Sequence, residues 1–286
     1  MRMRVVRGRG ESGGGSGGES GMRVFRSAKA MQRWCLALRE RREAIALVPT
    51  MGALHEGHRA LIRRARRLGD VVVVSIYVNP TQFGRGEDFK RYPRRMSADI
   101  GICRQEGVDA VFAPRNLYAA DASTWVEETK LSVDRCGAVR PGHFRGVATV
   151  VAKLFNICQP QHAVFGLKDF QQCQVLERMV RDLNFAVRLD FVPTVREEDG
   201  LAMSSRNSYL SAEERAAAAR FPEILREAAS GGWSDEATAT ALRMAGFSVD
   251  YVTTSGGRLC AAVRVGTTRL IDNFPRRALR MRRGQG

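Results

Sequence analysis

The chain has 286 residues, 44% of them hydrophobic, which is enough for one substantial core and a second, smaller one. No uninterrupted apolar stretch reaches the length of a membrane span, so we expect a soluble protein without a membrane partner. The formal net charge of +16 favours anionic partners. The basic residues are spread along the chain without a stacked-aromatic signature, so we expect no nucleic-acid partner. Six cysteines without CxxC spacing argue against a zinc site or disulfide framework and favour a cytoplasmic location.

The first 21 residues are rich in glycine and serine, and a segment of this composition cannot bury a core. We expect a disordered tail over 1–21, and no secretory signal, because no apolar region follows its arginines. Met22 is a candidate for the biological start of the protein. From there, the pattern predicts a helix over 24–38 and a buried strand over 44–48.

The stretch 48–58, VPTMGALHEGH, joins that strand to a helix predicted to start near Gly57. Pro49 is expected at the strand end, since it cannot donate to a sheet ladder. Glycines in a strand-to-helix turn allow a ligand to approach the backbone, and the helix N-terminus favours an anion. His55 and His58 lie three residues apart, so both imidazoles can face one ligand. A nucleotide phosphate site and an ordinary helix cap beside a solvated histidine are both open interpretations.

A continuous β-branched run over 71–78 is typical of a strand buried on both faces of a parallel sheet. It ends in a polar loop with Asn79 and Gln82, at the position where open α/β sheets bind ligands. A helix over 97–107 follows and carries Asp99. For Gln82 an ordinary turn residue, and for Asp99 a solvated residue at a helix start, are the alternatives to ligand contacts.

The alternation of strands and helices continues to residue 194. It comprises strands predicted over 108–113, 162–166 and 187–194 and a helix over 147–158. Before that helix, residues 140–146 form a basic turn containing His143, which by itself could be an ordinary basic loop. Its similarity to a family block described below implies that it borders the active site. Lys168 and Asp169 open another helix, with Gln172 on the same face as Asp169. Lysine at such a turn can reach a phosphate, and a solvated lysine is the alternative.

Beyond residue 194 the predicted elements become shorter. The polar loop 196–207 is open to two interpretations, a serine-rich linker and a flexible loop that closes over a site, and both can hold at once. Ser211 and Glu214 have the spacing of a capping box. The pattern predicts helices over 211–229 and 234–245 and strands over 249–253, 259–265 and 267–273. We therefore expect an α/β fold with a Rossmann-like parallel sheet domain over 22–193, followed by a smaller α+β domain over 194–286.

Five sequence blocks together resemble one family. The pattern HxGH at 55–58 resembles the signature of nucleotidyltransferases that use ATP. The blocks PTMGALHEGH, VNPTQF, RPGHFRGV, FGLKDFQQ and MSSRN, in this order, resemble the pantothenate synthetase family. The resemblance implies a ligase that joins pantoate to β-alanine through a pantoyl adenylate, with ATP converted to AMP and pyrophosphate. It also implies a cytoplasmic homodimer that uses Mg²⁺.

The resemblance implies site residues as well. As catalytic residues it implies His58, His55 and Lys168. For ATP it implies Met51, Gly52, Ala53, Leu54, His55, Glu56, Gly57, His58, Gly166, Leu167, Lys168, Asp169, Val195, Met203, Ser204, Ser205 and Arg206. Gln82, Gln172 and Asn79 are implied to bind pantoate and β-alanine, and Asp99 to contact the metal.

Two departures from the family and two alternatives stay open. Leu167 stands where the family usually has a polar residue, and Ser255 to Gly257 replaces a longer hairpin, so the second domain is expected to be shortened. In the family that domain supplies a lid and a dimer surface. The alternatives to this function are a related adenylyltransferase with a different acceptor and a basic RNA-binding protein.

Overall fold

The structure is a computed structural model that describes residues 21–276. The tail expected over 1–21 therefore lies outside the described residues, apart from Gly21. Within 21–276 no helix has the length and apolar character needed to cross a bilayer.

Six parallel strands form the central sheet, in the order β1-β4-β3-β2-β5-β6. These strands are β1 Arg23–Phe25, β2 Ile45–Thr50, β3 Val71–Ile76, β4 Ala110–Phe112, β5 His162–Gly166 and β6 Arg188–Val192. The helices between and beside them are α1 Ala28–Glu40, α2 Glu56–Ala65, α3 Met96–Gln105, α4 Arg135–Val139, α5 His143–Cys158 and α6 Phe170–Asp182. Every residue of β3 is buried, as its β-branched run predicted.

Alternation along β2 places its side chains in two cores. Ile45 and Leu47 face α1 and α5 in one core, whereas Ala46 and Val48 face α2 in the other. A parallel strand buried on both faces requires such helical layers on both sides of the sheet. The predicted Rossmann-like parallel sheet is confirmed.

Several predicted boundaries were wrong for local reasons. The segment predicted as a helix over 24–38 begins instead with β1, which pairs with β4. The helix starts only at Ala28, where the side chain of Ser27 caps it. Strand β2 continues past Pro49 to Thr50, with Pro49 opposite Ser75.

The basic turn over 140–146 is shorter than predicted. Helix α5 begins at His143, after Gly142 with φ 79°. His143 is therefore the first residue of a long helix and has a fixed position at its N-terminus.

A three-stranded antiparallel sheet and three helices form the smaller unit that follows. They are α7 Ala212–Ala218, α8 Arg220–Gly231, α9 Asp235–Met244, β7 Ser248–Ser255, β8 Arg258–Val265 and β9 Thr268–Pro275. The predicted α+β class of this unit is confirmed, and so is the capping box of Ser211 and Glu214. The helix predicted over 211–229 is divided at Ala219 into two helices.

The second unit has its own hydrophobic core, which includes Phe221, Leu225, Leu242 and Leu259. Strands β7 and β8 are joined by Gly256 and Gly257, both with positive φ. Such a two-residue turn requires left-handed backbone at both positions. The domain boundary at 193/194 and the shortening relative to the family stay predictions.

Candidate active site

A cavity of about 240 Å³ lies at the carboxyl ends of β2, β3 and β5. Open α/β sheets bind ligands at this edge. Fifteen of the predicted site residues border it: Met51, His55, Gly57, His58, Asn79, Gln82, Gly166, Lys168, Asp169, Gln172, Val195, Met203, Ser204, Ser205 and Arg206. Blocks far apart in sequence therefore meet in one place.

Asp99 stabilises the turn between β2 and α2 by hydrogen bonds. Gly52 and Ala53 have φ of 86° and 51°, and the N–H groups of this turn point to one carboxylate. Oδ2 of Asp99 accepts from the backbone of Ala53 at 3.0 Å, and Oδ1 accepts from Leu54 at 2.8 Å. Asp99 is 2% exposed. A carboxylate that accepts hydrogen bonds from several backbone N–H groups fixes the loop to which those groups belong.

The two histidines of this turn are tied to the backbone through Nδ1. Nδ1 of His55 accepts from the N–H of Gly57 at 3.1 Å, and Nδ1 of His58 accepts from the N–H of His55 at 3.2 Å. A neutral imidazole has one donor nitrogen and one acceptor nitrogen. Because both Nδ1 atoms accept, both protons are on Nε2. Each ring therefore offers an Nε2–H donor to a ligand in the cavity.

Both rings are neutral near pH 7. Burial, followed by the charges of His55 and Lys168, lowers the pKa of His58 to about 3. Burial and then the charge of Lys168 lower the pKa of His55 to about 4. A buried cation is costly in a low-dielectric site, which is why burial depresses the pKa of a histidine.

Lys168 and Asp169 lie in a 3-10 turn that follows β5 directly, and helix α6 starts at the next residue. The turn places the Lys168 ammonium close enough to depress the pKa of both histidines. Gln172 borders the cavity together with Lys168 and Asp169. Two neutral donors and one cation thus face the same space.

Hydrogen bonds at both ends of the side-chain amide fix the orientation of Gln82. Its Oε1 accepts from Nδ2 of Asn79 at 3.1 Å, and its Nε2 donates to Sδ of Met51 at 3.3 Å. Nδ2 of Asn79 also donates to the carbonyl oxygen of Gly146 at 3.1 Å. A Cβ at Gly146 would lie 2.4 Å from the carbonyl oxygen of Thr81, so only glycine allows this approach.

The backbone of Gln82 is held by the basic turn. Its carbonyl oxygen lies 2.8 Å from Nδ1 of His143 and accepts from Arg140 at 3.3 Å. A carbonyl can only accept, so Nδ1 of His143 is protonated and Nε2 accepts from Arg140 at 3.1 Å. Burial, followed by the charge of Arg140, lowers the pKa of His143 to about 3. Arg140 and His143 both border the cavity, and Glu87 fixes Arg140 by two hydrogen bonds at 2.7 Å.

The loop that contains Ser204 to Arg206 closes the cavity from the side of the second unit. The hydroxyl of Ser205 donates to the carbonyl of Ala53 at 3.2 Å and so joins this loop to the histidine turn. Arg206 donates to Asp88 through Nε and Nη2. The segment connects the two units and also borders the cavity, so both interpretations of it agree with the structure.

Some predicted residues do not border the cavity. Gly52, Ala53, Leu54, Glu56 and Leu167 are absent from its wall. Glu56 pairs with Arg63 at the protein surface, and its contact to ATP stays a prediction. Leu167 packs against the core beside the sheet.

The structure also corrects one expectation for Asp99. The solvated alternative is wrong, since the residue is buried. Each of its carboxylate oxygens accepts a hydrogen bond from a backbone N–H of the histidine turn, and the implied metal contact stays a prediction. Within 21–276 no group of three or more His, Cys, Asp or Glu side chains could hold a metal ion.

Sequence reasoning missed part of the wall. Val147, Val150, Val151 and Leu154 of α5 give the cavity an apolar side, and Tyr92 also borders it. The hydroxyls of Ser75 and Thr194 are buried there without a hydrogen-bond partner among the described residues. The sequence predicted a helix over 147–158 but no contact of its apolar face with a ligand. Helical spacing does not show which apolar side chains face a ligand.

Comparisons with known proteins agree with this geometry. Residues 23–275 match the family model of pantoate–β-alanine ligase. A pantothenate synthetase of Sphingopyxis alaskensis is 48% identical over 277 residues, which cover 89% of this chain and 99% of the relative.

Solved structures give the same result. A crystal structure of pantothenate synthetase from Thermus thermophilus is 46% identical with a TM-score of 0.81, covering 89% of this chain and 99% of that one. A pantoate–β-alanine ligase from Francisella tularensis, complexed with beta-gamma ATP and β-alanine, is 34% identical with a TM-score of 0.83, covering 89% and 98%.

The family match spans nearly all of residues 21–276, and it includes both the parallel sheet and the smaller unit. The blocks that line the cavity are those by which the sequence resembles the family. The chain belongs to the pantoate–β-alanine ligase family, the ligases that form pantothenate from pantoate, β-alanine and ATP through pantoyl adenylate, with release of AMP and pyrophosphate.

Proposed function

We propose that both steps of this ligation take place in the cavity at the ends of β2, β3 and β5. The observation that carries the proposal is the pair of Nε2–H donors of His55 and His58 beside Lys168. This arrangement suits a polyphosphate, which needs hydrogen-bond donors and positive charge at a water-excluded site. The Francisella tularensis relative binds beta-gamma ATP, which supports ATP as the nucleotide here.

In the first step the pantoate carboxylate attacks the α-phosphorus of ATP, and the bond to the pyrophosphate oxygen breaks. Phosphoryl and adenylyl transfers depend mainly on positioning and charge stabilisation. Lys168 and Arg206 balance the charge that moves to the pyrophosphate, and Ser204 and Ser205 contact it. His58 donates a hydrogen bond through Nε2–H, since its pKa of about 3 keeps the ring neutral.

Pantoate occupies the part of the cavity between Gln82, Gln172 and α5. An amide offers both a donor and an acceptor, which matches the hydroxyls and the carboxylate of pantoate. The methyl groups of pantoate pack against the apolar wall formed by Val147, Val150 and Leu154. Asn79 supports Gln82 through the hydrogen bond to Oε1.

In the second step the amine of β-alanine attacks the acyl carbon of pantoyl adenylate and AMP leaves. The Francisella tularensis relative also binds β-alanine. Holding the amine next to the adenylate replaces a bimolecular encounter by an oriented one. The rigid Gln82 is the group we assign to both organic substrates.

Mg²⁺ enters as part of the substrate, bound to the phosphates of ATP. Magnesium commonly keeps several waters and binds through substrate phosphates rather than through an all-protein cage. Both carboxylate oxygens of Asp99 accept hydrogen bonds from the histidine turn. The described residues contain no group of three or more His, Cys, Asp or Glu side chains that could hold the ion, which agrees with magnesium bound through ATP. We further propose a cytoplasmic homodimer that needs no nucleic acid, on the basis of the family resemblance.

Steady-state product analysis tests the function. With ATP, pantoate and β-alanine, the protein is expected to form pantothenate and AMP in equal amounts. Substitution of other hydroxy acids for pantoate separates this function from an adenylyltransferase with a different acceptor. AMP formation that is faster with another acid would overturn the proposal.

A further inference from the structure

Strand β9 of the second unit reaches the turn that carries Lys168. Nδ2 of Asn273 donates to the carbonyl oxygen of Leu167 at 2.9 Å and to that of Lys168 at 3.0 Å. Asn273 is 2% exposed. Two buried hydrogen bonds from one amide fix the backbone of this turn against the second unit.

The orientation of the Asn273 amide is determined from both sides. Two carbonyl oxygens require Nδ2 as the donor, and Oδ1 accepts from Nε of Arg258. The neighbouring Asp272 accepts two hydrogen bonds from Arg196, at 2.6 and 3.0 Å. Its Oδ1 also accepts from the backbone N–H of Asn273 at 2.7 Å. These hydrogen bonds join Arg196, in the segment that follows β6, to strand β9 beside the Lys168 turn.

We propose that Asn273 is a positioning residue for adenylate formation, acting through Lys168. The lysine ammonium can meet a phosphate only if its backbone turn is held, and the described hydrogen bonds between that turn and the second unit are those from Asn273. The second unit then contributes to the first chemical step although Asn273 itself does not touch the substrate. This inference rests on the proposed role of Lys168.

Asn273→Ala removes both donors, and Asn273→Asp keeps the shape but places a carboxylate against two carbonyl oxygens. Val263→Ala is the control, since Val263 is fully buried in the core of the same sheet and lies away from the turn. For each of the three variants, the rate of adenylate formation is compared with the loss of melting temperature. This comparison separates a positioning role of Asn273 from an effect of reduced domain stability.

The first readout divides the reaction into its halves. We expect Asn273→Ala to slow adenylate formation by about a hundredfold, the cost of misplacing a reacting group by about 1 Å. Aminolysis of added pantoyl adenylate by β-alanine is expected to change less than about twofold, because Lys168 acts on the phosphates that have already left. Equal slowing of both halves would overturn the proposal, as would equal slowing by Val263→Ala.

A double-mutant cycle provides the second readout. In a Lys168→Ala background, Asn273→Ala should have little further effect on adenylate formation, since it acts through the missing ammonium. A full additional loss in that background would contradict a role through Lys168.

Amide hydrogen exchange gives a readout that does not need activity. Asn273→Ala should increase the exchange of the amides at 167–171, whereas Val263→Ala should not. Unchanged exchange at these amides would overturn the positioning role. If the wild-type protein formed no adenylate, the proposed function would fail, while hydrogen exchange would still decide whether Asn273 holds the turn.

Discussion

Arg206 donates two hydrogen bonds to the carboxylate of Asp88, at 2.8 and 2.9 Å, at the edge of the cavity where we place the triphosphate. Planar pairs of this kind fix a guanidinium in one orientation. Burial raises the pKa of Asp88, but the hydrogen bonds and charge of Arg206 outweigh this effect, so the pKa is lowered. Asp88 therefore stays ionised near neutral pH and holds Arg206 ready for a phosphate.

Asp88→Asn tests this arrangement. The amide offers one acceptor oxygen and no charge, so the guanidinium loses its fixed position and the KM for ATP should rise by about tenfold, equivalent to about 1.4 kcal/mol. The KM for β-alanine should stay near its wild-type value. A KM for ATP below the wild-type value would show that Asp88 competes with the phosphates instead of positioning Arg206.

The donor role of His58 is tested by two substitutions. His58→Asn retains an acceptor near the N–H of His55 but has no Nε2–H, whereas His58→Ala removes both groups. Loss of one preorganised donor should reduce the rate of adenylate formation by about a hundredfold to a thousandfold. Single-turnover kinetics should show this loss of rate in both variants. Thermal unfolding should show that His58→Asn is the more stable of the two. Near-normal pyrophosphate release by His58→Asn would exclude the donor role.

Stability should depend on pH through the three half-buried histidines of the site. In the folded state His55 has a pKa of about 4, and His58 and His143 of about 3, all below the ordinary value of 6.5. As the pH falls below 6.5, the unfolded chain binds protons before the folded one does. Each such histidine therefore lowers the free energy of unfolding by about 1.4 kcal/mol per pH unit until its folded pKa is reached.

Urea unfolding at about pH 7 and about pH 5 measures this slope. His58→Gln, which cannot take up a proton, should reduce the difference between the two values. Equal stability of the wild-type protein at both pH values would contradict the interpretation that these rings are neutral in the folded state.

Two adjacent glutamines of α6 provide a matched pair for the pantoate site. Gln172 borders the cavity, whereas Gln171 is buried and bonds to Leu131, Asp134 and Cys136. Gln172→Ala should raise the KM for pantoate more than the KM for ATP. Gln171→Ala should lower the melting temperature, because it leaves buried backbone groups unpaired. Unchanged dependence on pantoate in Gln172→Ala would remove this residue from the pantoate site.

Local patterns were sufficient for the elements that position the site. The β-branched run of β3 shows a buried strand by its composition. The hydrogen bonds of the turn with His55 and His58, and those of the capping box of Ser211 and Glu214, join residues at most three positions apart. Such features depend on periodicity and short-range hydrogen bonds, which a single sequence contains.

Long-range partners could not be predicted in this way. Asp99 lies 45 residues from the loop N–H that it accepts, and Asn273 lies 105 residues from Lys168. No local pattern distinguishes a buried acceptor for a loop from a solvated helix-start carboxylate. Strand β1 was missed for a related reason, since three residues at a sheet edge are recognisable only through their pairing with β4.

The most direct test of the account is exchange of labelled pyrophosphate into ATP, with Mg²⁺ and pantoate present and β-alanine absent. We predict exchange that requires pantoate and that His58→Asn reduces by about a hundredfold or more. This result would establish the adenylate half-reaction and place it at the histidine turn. Absence of exchange from folded protein that binds ATP, or exchange that does not require pantoate, would contradict the account.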